Sequence, residues 1–139
     1  MSQRVVSRRQ ARRAAFVLLY QHDVVSTPFE ALFERYAADT GEPVPAYARE
    51  VVDGVTAALP ELDARLDAAA TGWTSDRLGA VERAVLRLAA WELTTRPDIP
   101  VPAVIDEAVQ LAKRYASPEA ATFVNGVLGR IARDEGTGR

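Results

Sequence analysis

The sequence predicts an all-α protein on three observations. Apolar residues recur at the three- and four-residue spacing of helices, period-two alternation is scarce, and Ser, Thr, Pro and Gly stand where helices start and stop. Alanine, leucine, valine, glutamate and arginine dominate, with no internal repeat and no low-complexity tract. A chain of 139 residues is long enough to bury about two thirds of its unfolded surface around one core. Two helical halves are expected, about 1–70 and 73–135, with Thr71 and Gly72 at the boundary and a frayed end over about 134–139.

Ser7 followed by Gln10 has the spacing of a capping box, so the first helix is expected over 8–23. Its inward stripe is Ala11, Ala14, Ala15, Leu18, Leu19 and His22. Thr27, Pro28 and Glu30 predict the next start, with Thr27 as cap, Pro28 at the first helical position and Glu30 closing the box; Gly41 predicts its end. Pro43 and Pro45 mark the connection to a third helix over 46–59, broken by Pro60, and a short fourth over 61–70. The fifth, over 76–95, is apolar nearly all round and should be central; Arg83 and Arg87 form an edge stripe on it, and Glu92 reads as a carboxylate enclosed and satisfied by a neighbouring helix. A sixth is expected over 103–115, burying Val104, Ala108, Leu111, Ala112 and Tyr115. Ser117, Pro118 and Glu119 open the last, whose stripe is Phe123, Val124, Val127, Leu128 and Ile131. Gly126 and Gly129 beside that stripe suggest the close approach of another backbone, since glycine costs a helix interior about 1 kcal/mol.

Charge is distributed unevenly along this framework. Arg4, Arg8, Arg9, Arg12 and Arg13 crowd the first thirteen residues, and the first acidic residue is Asp23. The chain holds 17 basic and 19 acidic side chains, so setting those five aside leaves 12 against 19, an acidic body beneath a basic end. Arg8 and Arg12 are one helical turn apart, as are Arg9 and Arg13, and the four should form one broad basic patch. Cations at a helix N-terminus oppose the macrodipole by a few tenths of a kcal/mol each, so local stability does not account for them. Binding a polyanion does, because a guanidinium offers phosphate both charge and a paired hydrogen bond. Lys113 and Arg114 stand in the last turn of their helix, where the dipole already explains them; they are candidates to extend the basic surface.

Other classes fit poorly. The chain has no cysteine and one histidine, which removes thiol nucleophiles, thiolate zinc sites and multi-histidine metal sites. No phosphate-cradling glycine loop or dinucleotide fingerprint occurs, and the adjacent Asp106 and Glu107 point to different faces of a helix. An enzyme is therefore not expected, nor a cofactor or metal. The apolar run from Ala14 to Tyr20 is at the lower limit for a signal peptide and leads into Gln21, His22 and Asp23 without a small-residue cleavage pattern, and no segment approaches a membrane span, so a cytoplasmic location is expected.

In combination these blocks resemble the NusB family of bacterial transcription antitermination factors: the arginine-rich start leading to Ala15–Tyr20 and Gln21; Tyr47–Gly54; Trp73 with Asp76, Arg77 and Leu78; Val81–Leu93; Ile99 and Pro100; Ile105–Tyr115; and Phe123–Leu128, which reads Phe-Val-Asn-Gly-Val-Leu. The resemblance spans nearly the whole chain. It implies one RNA-binding domain of seven helices in two small bundles, with the first helix crossing between them. It also implies binding of the single-stranded boxA element of nascent ribosomal RNA together with NusE, a small-subunit ribosomal protein, so that RNA polymerase, joined by other Nus factors, resists termination. On this reading Arg8, Arg9, Arg12 and Arg13 match the family's arginine-rich RNA-binding motif, and Tyr20, Glu82 and Glu119 match positions facing the ribosomal protein. Glu119 stands where some relatives have aspartate, and Asp106 where asparagine is frequent. Two alternatives stay open: a helical homodimer that masks the arginine face, and the NusB-like module of a ribosomal RNA methyltransferase, which a chain of this length disfavours.

Overall fold

The computed structural model describes residues 6–70 and 78–135, and among them there are seven α-helices and no strand. They are α1 (Arg8–Val25), α2 (Phe29–Thr40), α3 (Ala46–Ala57), α4 (Leu59–Ala69), α5 (Ala80–Thr95), α6 (Val101–Tyr115) and α7 (Pro118–Asp134). The expected Arg4, the Thr71–Gly72 boundary, Trp73, Asp76, Arg77 and most of the frayed end lie outside the described residues.

Local chemistry sets most of the boundaries. Ser7 and Gln10 form the full capping box, each side chain accepting from the other's backbone N–H at 3.1 Å. Ser117 Oγ likewise accepts from the Ala120 N–H at 3.0 Å and opens α7. Gly41 ends α2 at φ 74°, a conformation glycine adopts without a Cβ penalty.

Proline positions shift the boundaries of α2, α3, α4 and α6, and α5 starts late without one. At α2 the cap is Pro28, not Thr27: Pro28 is extended at ψ 144°, so Phe29 is the first helical residue and Glu30 stands too early to close a box. The Thr27 carbonyl instead accepts from His22 Nδ1 at 2.8 Å. The chain between α3 and α4 turns at Ala58, before Pro60, which then sits in the first turn of α4 where its missing N–H costs nothing. The same tolerance lets α6 start at Val101, ahead of Pro102, with Pro100 as cap. At α5, Leu78 and Gly79 are not helical, and the helix begins at Ala80 rather than 76.

Packing joins α1 to α2, α3 and α5, while α5 also contacts α3, α4, α6 and α7. As its composition predicted, α5 is the central helix: Ala84 to Leu86 and Leu88 to Leu93 are all buried. One continuous apolar cluster runs from Ala14 of α1 to Ile131 of α7.

The close approach expected at Gly126 and Gly129 occurs elsewhere. A Cβ on Gly126 would meet nothing within 4 Å, and one on Gly129 only the end of Arg133. At Gly54 of α3 a Cβ would stand 2.3 Å from Trp91 Nε1, inside the indole plane's van der Waals shell. Gly54→Ala should therefore destabilise by about 1–3 kcal/mol despite alanine's helix propensity, because the buried indole cannot withdraw; urea denaturation reads this out, and unchanged stability would mean that α3 and α5 can separate freely.

Candidate nucleic-acid interface

The first two turns of α1 send their arginines in different directions. Arg8 and Arg9 fill the first helical positions with no acidic residue in that turn. Both, with Arg13, are exposed, whereas Arg12 is buried with 5% of its surface accessible. The expected four-arginine patch thus has three outward members. Arg12 points into the junction of α1, α3 and α5, where its Nε donates to both carboxylate oxygens of Glu92 at 3.0 Å. Glu92 is fully buried and also accepts from the Tyr47 hydroxyl at 2.5 Å. Enclosure of Glu92 by neighbouring helices was expected from sequence; its partner Arg12 was not.

Tyr47 ties this interior pair to the surface. Its hydroxyl is held by Glu92 while the Arg8 guanidinium lies 4.2 Å from the ring centroid and that of Arg96 5.3 Å. Burial, and then donation to Glu92, push the Tyr47 hydroxyl well above the ordinary tyrosine range, so it stays a donor at any physiological pH. Arg96 is itself held by Asp98 and Glu50.

On its other side α1 borders a groove of about 520 Å³ against α6. Arg9, Gln10, Arg12 and Arg13 form one wall; Glu107, Gln110, Leu111, Lys113 and Arg114 form the other. Arg9 Nε donates to Glu107 Oε1 at 2.9 Å, and hydrogen bonding to that carboxylate raises the Arg9 pKa further. Tyr115, half-buried at the end of α6, packs on Phe16 at 5.1 Å between centroids and lies under Arg13 at 5.9 Å and Arg114 at 5.3 Å. The structure therefore brings Lys113 and Arg114 onto the same groove as Arg9 and Arg13. Sequence reasoning missed Tyr47, Glu107 and Tyr115. Only Tyr115 left a local signal, an aromatic beside two cations; the other two act through partners far away in sequence.

The residues expected to face a protein partner come from three helices. Tyr20 of α1 is half-buried with its ring 6.4 Å from Phe16; Glu82 is half-buried in the first turn of α5; Glu119 is exposed in the first turn of α7. Among the described residues no hydrogen bond or ring contact joins them to one another.

A second cleft, of about 270 Å³, lies at the far end of α1 beside His22, Asp23 and Arg87. His22 stacks on Phe29 at 4.0 Å, and Asp23 is engaged by Arg83 at 2.7 Å and more loosely by Arg87. Arg87 also pairs with Asp63 at 2.8 Å, so the expected edge stripe on α5 is a set of half-buried ion pairs. Among the described residues no cluster of three potential metal ligands occurs, and no helix is long and apolar enough to cross a membrane.

Comparison with known proteins gives consistent matches. The sequence model of the NusB family matches residues 9–133. The transcription antitermination protein NusB of Rubrobacter xylanophilus is 45% identical over 94% of this chain and 92% of its own. T. maritima NusB superposes with a TM-score of 0.83 at 34% identity, covering 94% of each chain. A chain from the crystal structure of the antitermination factors NusB and NusE in complex with dsRNA superposes with a TM-score of 0.82 at 32% identity, covering 91% of this chain and 96% of that one.

Proposed function

This chain belongs to the NusB family, and from that premise we propose that it is a transcription antitermination factor that binds the boxA element of nascent ribosomal RNA together with NusE. The whole chain acts as one RNA-binding unit, a factor of binding and assembly, and its effect on RNA polymerase is exerted through the other Nus factors. The observation that carries this reading is the groove between α1 and α6, where exposed Arg9 and Arg13 face Lys113 and Arg114. Guanidiniums held over Tyr115 and Tyr47 present flat cationic surfaces for phosphates and for unpaired bases. Arg4 and Arg8 extend the basic end, while Arg12, tied to Glu92, holds α1 in place from inside.

The acidic remainder has a complementary role. A small basic patch on a chain of net charge −2 gives modest affinity for RNA alone. A basic protein docking on Tyr20, Glu82 and Glu119 would neutralise that acidic surface and enlarge the RNA-binding one.

Binding of a boxA oligonucleotide measured over a salt series, with and without NusE, tests this. About four or five phosphate contacts should give a slope of roughly −3 in log K against log salt for a single strand. NusE should tighten binding, and a scrambled RNA should bind more weakly. Affinity unchanged by NusE and by scrambling would overturn the proposal.

A further inference from the structure

The groove contains a carboxylate where a polyanion is expected to bind. Glu107, from α6, lies among Arg9, Arg13, Lys113 and Arg114, and Arg9 reaches it through two nitrogens, Nε at 2.9 Å and Nη2 at 2.8 Å. The two side chains differ in freedom: that of Glu107 is 16% exposed, that of Arg9 70%. The carboxylate is thus enclosed in the groove wall and the guanidinium is the solvent-facing partner. Its neighbour Asp106 is engaged along the helix by Gln110 at 2.8 Å, which leaves Glu107 as the carboxylate turned to Arg9.

A carboxylate and a phosphate present similar oxygens to a guanidinium, so only one of them can take the inner edge of Arg9 at a time. We propose that Glu107 is a built-in competitor for RNA phosphate: it holds Arg9 in the free protein, and RNA must displace it to use that arginine. This rests on the RNA-binding reading of the groove and goes beyond it by assigning a residue that sets affinity and selectivity. Displacement leaves Glu107 facing a polyanion inside a narrow groove. A strand that only grazes the surface leaves the pair closed and gains nothing from Arg9, whereas a strand seated in the groove opens it and gains Arg9 in exchange for Glu107. Glu107 accordingly lowers all RNA affinity and lowers nonspecific affinity most. Its sequence separation of 98 residues from Arg9 makes the device a product of the fold.

The test uses the full chain and two RNAs, a single-stranded boxA oligonucleotide and a scrambled one, with Glu107→Gln, Arg9→Ala and the double variant. Glu107→Gln should tighten boxA binding about threefold to tenfold at 0.1 M salt with the salt slope little changed, because seated RNA meets the same arginines in both proteins. The scrambled RNA should gain more, so selectivity falls. In the Arg9→Ala background the gain should shrink to less than about twofold, because no guanidinium is there to be released. Glu107→Gln that binds boxA equally or more weakly at unchanged thermal stability would overturn the proposal and make Glu107 a positioning residue for Arg9. A gain that persists undiminished without Arg9 would overturn it too, as mere removal of charge. Should Glu107→Gln fold poorly, Glu107→Ala carries the same expectations. If the wild-type protein binds neither RNA, the proposed function itself fails, a result distinct from these.

Discussion

Replacing Glu92 with alanine is expected to cost about 3–5 kcal/mol, the range for breaking a buried ion pair by removing one partner. The size follows from what is left behind. Arg12 is 5% exposed and would keep a full positive charge among α1, α3 and α5 without its carboxylate. The Tyr47 hydroxyl would lose its acceptor as well. For a chain of this length the thermal midpoint should fall by about 10 °C or more. Glu92→Gln, which keeps the volume and an acceptor, should lose less. A paired change, Arg12→Met with Glu92→Leu, should recover most of the stability, because apolar replacement of both members removes two desolvation penalties together. The recovered double variant also separates two roles for Arg12. If the residue works from inside, boxA affinity stays within about threefold of wild type; a loss as deep as that of the outward arginines would make Arg12 a direct contact. Calorimetry and RNA titration on the same samples decide both points.

What the sequence revealed tracks the range of the interactions. Ser7 and Gln10 are three residues apart and form the predicted box. Thr27 was misjudged because a cap depends on the backbone angle of Pro28, which no residue type states outright. Glu92 was legible as enclosed because it interrupts a helix apolar on every side. Arg12 was not legible as its partner because 80 residues separate them, and by spacing alone it looks like Arg8 one turn earlier. The dipole argument treated Arg8, Arg9, Arg12 and Arg13 alike as cations that helix stability does not explain, and so could not separate the inward Arg12 from the three that face out. The same argument, applied to Lys113 and Arg114 at the favourable end of α6, explained them too easily; only the packing of α6 beside α1 places them on the opposite wall of the groove.

Reversing both outward arginines of the groove, Arg9→Glu with Arg13→Glu, is expected to weaken boxA binding on the order of a hundredfold at 0.1 M salt and to flatten the salt slope by about 1.4, two phosphate contacts on a single strand. The fold should survive. Both side chains are exposed, Arg13 sits over Tyr115 at a loose 5.9 Å, and an acidic residue in the first turn of α1 suits the dipole that the arginines oppose. A new carboxylate at position 9 would face Glu107, which offsets that gain, so the thermal midpoint should stay within about 3 °C of wild type. The decisive control changes the same total charge elsewhere: Arg35→Glu with Arg49→Glu, exposed residues of α2 and α3 outside the groove lining. Neither residue lines the groove and exposed charges are screened at 0.1 M salt, so this control should lose much less affinity. Equal losses in both variants would mean that RNA responds to the protein's overall field and that the groove is not the site. A loss confined to the groove pair, with the slope reduced as stated, locates the phosphate contacts on the wall that α1 builds and leaves the α6 wall, Lys113 and Arg114, to be removed one at a time by the same measurement.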